Sequence, residues 1–218
     1  MAFPITQPEI MQQSLQFALL LRDAFADSAQ LLGGVGVSCQ GVQGQRKDSS
    51  GTFLFNGLTP GALVFAVSSD PGTPYYQPLI VPVALPMPSA LWPAFPDRTA
   101  ADPNLPLGDP GQAAAYRAQR QQATLLPTTG YPFPPGATLI RGTVRHGGQP
   151  LPAATVQQVG GTDPSFTTGA DGQFVLYVSN APGLAQQVTV KAQCAGLPDQ
   201  SVNVTLTRGL TVTTNIDM

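Results

Sequence analysis

The sequence predicts an all-β protein: two tandem β-sandwiches joined by a long Pro-rich linker that carries one short helix. Three observations predict it. Short apolar runs of strand length recur between turns drawn from 23 Gly and 23 Pro in 218 residues. The hydrophobic fraction of 42% supplies enough apolar surface to offset the entropy of ordering, so the Gly and Pro mark turns and not a disordered chain. Eleven prolines between Pro86 and Pro135 separate two strand-bearing halves.

Residues 1–13 are polar, contain Pro4 and Pro8, and read as an N-terminal arm. The first sandwich covers residues 14–86. From Ser14 to Phe25, Leu15, Phe17, Leu19 and Leu21 share one face at period two, which predicts a strand although Leu, Ala and Gln also favour helix. Val35–Cys39 and Thr52–Phe55 are short strands, and Ala62–Val67 is an apolar run of strand length. Asn56-Gly57-Leu58-Thr59-Pro60-Gly61 and Asp70-Pro71-Gly72 are turn clusters. Tyr75–Leu85 contains Pro78 and Pro82, which cannot donate to a ladder, so this strand belongs at a sheet edge or carries a bulge.

The linker spans residues 87–136. Within it Asp109 suits an N-cap, Pro110 the first helical position, and the Ala-, Gln- and Arg-rich stretch that follows favours a helix near 110–124. Tyr116 is the one bulky apolar side chain on that helix, so it buries little. The second sandwich covers residues 137–218, with strands expected at Thr138–Arg145, Ala154–Gln158, Gln173–Val178, Gln187–Ala192, Ser201–Thr207 and Leu210–Asp217.

The halves repeat an order of events. A first strand leads to a short Val-containing strand, Val35–Cys39 or Ala154–Gln158. A polar loop then leads to a strand of the form Gly-x-Phe-x-apolar, Gly51–Phe55 or Gly172–Leu176. The Gly makes the turn and the Phe fills the space between sheets. Phe53 and Phe174 are therefore expected in equivalent buried places.

In the second half, Arg141-Gly142-Thr143-Val144, Gly148-Gln149-Pro150-Leu151-Pro152-Ala153-Ala154-Thr155-Val156 and Thr168-Gly169-Ala170-Asp171-Gly172-Gln173-Phe174 together resemble the carboxypeptidase regulatory-like domain. That resemblance implies a transthyretin-like sandwich of about seven strands. The first half matches through Gly51–Phe55 and the turn at Gly57–Gly61, without the Pro-Leu turn before Val35. The layout of sandwich, Pro-rich segment, Tyr131-Pro132-Phe133-Pro134-Pro135-Gly136 and second sandwich also resembles accessory proteins of phage-tail-like contractile injection systems. It implies a cap, adaptor or baseplate-associated subunit.

The residue inventory argues against several chemistries. His146, the single histidine, lies in a Gly-rich turn, where a solvated side chain is the better reading than one member of a Ser-His-Asp triad. One His and two distant Cys do not make a zinc site, and Asp163 and Asp171 read as turn residues and not as calcium ligands. Gly33-Gly34-Val35-Gly36 lacks the Lys and the helix of a phosphate loop. Catalytic, metal and cofactor residues are thus expected to be none. Cys39 and Cys194 fall in different halves and read as free buried thiols. A net charge of −2 offers no basic footprint for nucleic acid, and no apolar run is long enough to span a membrane. The N-terminus shows no basic region followed by an apolar core, which predicts cytoplasmic synthesis without a signal peptide.

Charged residues make up 10% of the chain against an average near 25%, which suits a subunit packed against neighbours and equally a stable β-protein with a polar, uncharged surface. The leading expectation is a structural or adaptor subunit, oligomeric in a particle, whose partners are other protein subunits. Its candidate contacts are the Pro-flanked aromatics Trp92, Phe95, Tyr131 and Phe133. The competing use of these four side chains is to pack back onto the sandwiches and pin them together. The alternative function is a carbohydrate- or cell-surface-binding module, which the position of Trp92, the only Trp, in the linker disfavours.

Overall fold

Alternation decides the first strand. Phe17, Leu19, Leu21 and Asp23 point one way and are buried, while the residues between them are half-buried, so β1 (Phe17–Asp23) is a strand and not a helix. The computed structural model describes residues 17–47, 49–59, 61–85, 121–179, 181 and 183–218. Among these there is no helix; the protein is all-β.

The first half continues with β2 (Val35–Cys39), β3 (Val42–Gln43), β4 (Gln45–Arg46), β5 (Thr52–Phe55), β6 (Gly61–Ser69), β7 (Leu79–Leu85) and β8 (Gln121–Leu125). One sheet runs β4-β5-β1-β8 and the other β3-β2-β6-β7. The Pro-bearing strand β7 sits at a sheet edge, as its missing donors require. Phe17, Phe55 and Phe65 meet between the sheets, with the Phe17 and Phe65 rings stacked at 4.7 Å.

The second half has β9 (Leu139–His146), β10 (Gln149–Pro150), β11 (Thr155–Gln158), β12 (Phe166–Thr167), β13 (Gln173–Tyr177), β14 (Gln186–Gln193), β15 (Gln200–Leu206) and β16 (Thr211–Asp217). One sheet holds β10, β13, β9 and β16, and the other runs β12-β11-β14-β15. Two segments of the motif quoted above meet at Thr168. Its hydroxyl donates to the Leu151 carbonyl at 2.7 Å and accepts from the Ala154 amide at 2.9 Å.

The sandwiches share the order of their longer strands and the register of the matched pairs, and differ in the short strands: β4 pairs β5 in the first and β10 pairs β9 in the second. Phe53 of β5 lies opposite Leu19 of β1, and Phe174 of β13 opposite Gly142 of β9, both antiparallel. Two residues before each Phe, the Gly51 carbonyl accepts from the Leu21 amide at 2.8 Å and the Gly172 carbonyl from the Val144 amide at 2.9 Å. Phe53 and Phe174 are both buried. On its other side β1 pairs in parallel with β8, just as β9 pairs in parallel with β16. Strand β8 is therefore the closing strand of the first sandwich.

That strand corrects the expected linker. Residues 87–136 do not form a strand-free connection, because Gln121–Leu125 belongs to the first sandwich. For residues 110–120 the expected helix lies outside the described residues, and residues 121–124 are strand. Gln and Ala favour helix by a few tenths of a kcal/mol, whereas the edge of β1 offers a full ladder and a buried slot for Leu125. The connection between the sandwiches thus begins at Leu126, after β8. The N-terminal arm, residues 1–13, is likewise outside the described residues.

Both cysteines are free. Cys39 is buried, which raises its thiol pKa, and Cys194 is half-buried.

Candidate functional site at the junction of the two sandwiches

Asp23 continues the inward phase of β1, so its carboxylate lies in the interior, 1% exposed. Burial of a carboxylate is costly unless its oxygens are hydrogen-bonded. Here four donors meet it. The amides of Phe25 and Ala26 donate to Oδ1 at 2.8 and 3.1 Å, turning the chain at the end of β1. The phenols of Tyr76 and Tyr131 each donate to Oδ2 at 2.7 Å. The Leu32 amide in turn donates to the Tyr76 oxygen at 3.0 Å. Burial, and then the neighbouring Asp23 carboxylate, push the Tyr131 phenol far above its ordinary value. Tyr76 is raised likewise by burial and by Asp23, against a lowering contribution from the Leu32 amide.

Tyr131 and Phe133 follow β8 in the short connection to β9. A run of backbone bonds lays that connection along the first sandwich: Gln77 N to Leu126 O at 2.8 Å, and Thr128 N to Tyr75 O at 2.8 Å. Phe133 then packs against the cores of both sandwiches. Phe25 is ringed by Tyr131, Phe133 and Tyr177 at centroid distances of 5.8, 5.1 and 5.5 Å, each edge-on. Edge-on pairs set the positive rim of one ring against the negative face of another.

From the second sandwich, β9 and β13 present their odd-numbered face. Tyr177 donates its hydroxyl to the Ala24 carbonyl at 3.2 Å. Arg141 donates to the Thr129 carbonyl at 3.1 Å and lies 5.7 Å from the Phe133 ring centre. Burial, then the Asp163 and Asp23 carboxylates, push the Tyr177 phenol up to about 12.

Of the four aromatics singled out in the sequence, the structure brings Tyr131 and Phe133 together, with rings 4.7 Å apart, and uses them to pin the sandwiches. Tyr131 is 4% exposed and is therefore not an open partner contact. Trp92 and Phe95 lie outside the described residues. Sequence reasoning missed Asp23, Phe25, Tyr76, Arg141 and Tyr177. For Asp23 a signal existed: it stands in phase with Phe17, Leu19 and Leu21, where an acid needs buried donors.

The residues weighed for other chemistry have local roles. The ring nitrogen Nδ1 of exposed His146 lies 2.5 Å from the Met218 carbonyl oxygen. Asp163 accepts from the Ser179 amide and hydroxyl, and Asp171 from the Gln173 amide, both as loop-fixing contacts. Among the described residues no group of three or more His, Cys, Asp or Glu could hold a metal ion, and no helix is long and apolar enough to cross a membrane. The junction holds the two modules together through the Asp23 carboxylate, the phenols of Tyr76, Tyr131 and Tyr177, and the rings of Phe25 and Phe133.

No protein-family model matches the sequence, and no curated protein matches it at a significant level. Solved structures give distant likenesses. The Bacillus anthracis TIE protein is 10% identical with a TM-score of 0.29, over 94% of this chain and 34% of that one, so the chain spans about a third of its length. GBS52, the minor pilin of Streptococcus agalactiae, is 10% identical with a TM-score of 0.29, over 92% of this chain and 94% of that one. A streptococcal ancillary pilin is 14% identical with a TM-score of 0.27, over 92% and 61%. Likenesses of this depth carry no argument about function.

Proposed function

We propose that the chain is a non-enzymatic structural or adaptor subunit of a multi-protein assembly. Its specific form is a cap, adaptor or baseplate-associated component of a phage-tail-like contractile injection particle. The observation that carries the reading is the junction. Asp23, Tyr76 and Tyr131 are buried together, and Phe25, Phe133, Tyr177 and Arg141 close around them. A protein that only displayed two independent binding modules would gain nothing from such a lock. A part that sets the spacing of two neighbours needs it. The low charge content supports the same reading, because contact surfaces are depleted of charge at their centres. The resemblance to the carboxypeptidase regulatory-like domain, with its seven-strand sandwich, is consistent with a scaffold role.

The test is fractionation of native extracts with the chain tagged. The expected result is co-sedimentation with a large particle and loss or instability of that particle when the gene is deleted. Particles left intact by the deletion, together with micromolar binding of a defined sugar by the purified chain, would replace this reading with the carbohydrate-binding module.

A further inference from the structure

Each sandwich is closed by a strand laid in parallel on its first strand, but the two closing strands arrive differently. In the second, β16 follows β15 after four residues, 207–210, so it has no reach beyond its own sandwich. In the first, β8 follows β7 only after 35 residues, 86–120, while 13 residues, 126–138, separate it from β9. The strand that completes the first sandwich is thus carried by the second. Residues 17–85 and 121–218 are two bodies whose covalent link is residues 86–120 alone.

What joins the two bodies in space is a strand slot. Leu19–Asp23 of β1 receives Gln121–Leu125 residue for residue, and the ladder continues with the Ala24 amide donating to the Leu125 carbonyl at 3.0 Å. Leu125 is fully buried, and Tyr131, six residues on, reaches Oδ2 of Asp23 at 2.7 Å. The slot therefore selects its occupant. It takes an apolar side chain at the position of Leu125, a small half-buried one at Ala123, and a phenol at the spacing of Tyr131. Residues 121–131 of this chain meet that description.

We propose that this slot is also a contact between copies: β8 and the second sandwich of one chain close the first sandwich of a second copy, which returns its own β8 in a two-fold exchange. Every bond of the interface is kept in the exchange, so the tether and not new contacts sets the balance. Extended, 35 residues reach roughly 120 Å. A seven-residue strand spans only about 23 Å. A tether of such length holds its two ends at an effective concentration on the order of millimolar. Below that concentration the slot is filled within a chain; where copies are packed more densely, as in a particle, it is filled between chains. The proposal deepens the assembly reading by naming a contact within it. It is tested on the purified chain, so its failure leaves that reading to particle fractionation.

The test co-refolds two full-length chains of different tag, one Leu20→Cys and one Gln122→Cys, and oxidises them. Residues 20 and 122 are register partners on the outer face of the β1–β8 ladder, at a spacing that a disulfide bridges. Both chains also carry Cys194→Ser, and the remaining native thiol, Cys39, is buried. Each chain holds one thiol of the pair, so the mixed disulfide reports exchange. Its yield should rise from roughly 1% of chains at about ten micromolar to about half near millimolar. A single chain carrying both Leu20→Cys and Gln122→Cys should close its disulfide as a monomer at micromolar concentration. Closure of that chain with no mixed disulfide up to several millimolar would confine the slot to its own chain and overturn the proposal. A doubly substituted chain that fails to close, or mixed disulfides no more frequent than those between two Leu20→Cys chains, would overturn it equally.

Discussion

Tyr131 donates its phenolic hydrogen to Oδ2 of Asp23 at 2.7 Å, across 108 positions of sequence. This bond ties the end of the first strand to the connection that leads into the second sandwich. Hydrogen bonds to charged groups contribute about 1.5–3 kcal/mol. Tyr131→Phe should lower unfolding stability by that amount, because it leaves the ring packing intact and removes one of four donors from a buried carboxylate. Tyr131→Ala, which also deletes the ring, should cost more, about 3–5 kcal/mol. Urea unfolding of both variants checks the order.

The same bonds set an alkaline limit. The folded-state pKa values of Tyr76, Tyr131 and Tyr177 lie above the ordinary value of 10.0. Below pH 10 all three are protonated in folded and unfolded chains alike, and their contribution is fully present. Above it the unfolded chain loses protons that the folded chain keeps, so stability falls as pH rises. Each tyrosine contributes up to ~1.4 kcal/mol per pH unit. For Tyr177 the loss is complete near pH 12. Melting temperature should be insensitive to these groups up to about pH 9 and then drop. Tyr131→Phe should show a shallower drop than the parent.

Gly142 is required by close approach. A Cβ there would meet the Thr214 carbonyl oxygen at 1.7 Å and the Phe174 ring at 2.9 Å. The first contact is backbone of the parallel partner β16, which cannot rotate away. Gly142→Ala should therefore cost the upper end of the 1–3 kcal/mol typical of overpacking, or more, roughly 3 kcal/mol. In the first sandwich the close approach falls at Gly51, where a Cβ would meet the Leu21 carbonyl oxygen at 2.2 Å. Calorimetry should show Gly142→Ala acting on the second sandwich and Gly51→Ala on the first.

Phe174 and Phe53 are the matched core aromatics. Replacing either with Ala should cost about 3–5 kcal/mol. Denaturant titration followed by far-ultraviolet dichroism measures it. A loss below about 1 kcal/mol would be incompatible with burial at 1% and 2%.

Much of this fold is legible in the residues, and the reason is period. Val35–Cys39 and Thr52–Phe55 were expected with the bounds they have, because turn chemistry flanks short alternating runs. The prolines of β7 placed it at an edge. What was not legible depended on partners distant in sequence. Strand β8 carries only Ala123 and Leu125 as inward apolar residues, among Gln and Thr. Nothing local distinguishes it from the helix-favouring residues before it; the open edge of β1 does. The junction was legible in half. Tyr131 and Phe133 stand out beside prolines, but their acceptor and their ring partners come from the end of β1 and from β9 and β13. Proline-flanked aromatics read alike whether they meet a neighbour or their own chain.

The closing strand gives the last prediction. Strand β8 returns to the first sandwich after residues 86–120, and Leu125 is fully buried beside Asp23. Leu125→Ala should destabilise the first sandwich by about 2–5 kcal/mol. A chain cut between Leu85 and Gln121, at Arg98, Arg117 or Arg120, should remain one particle in native gel filtration. Its two pieces are held by the parallel ladder of β1 with β8, by the Tyr76 and Tyr131 bonds to Asp23, and by the bond from Tyr177 to Ala24. They should separate only in denaturant, and Tyr131→Phe should lower the concentration at which they do. Pieces that part under native conditions would show that the residues from Gln121 onward are a separate unit, with the first sandwich closed without them.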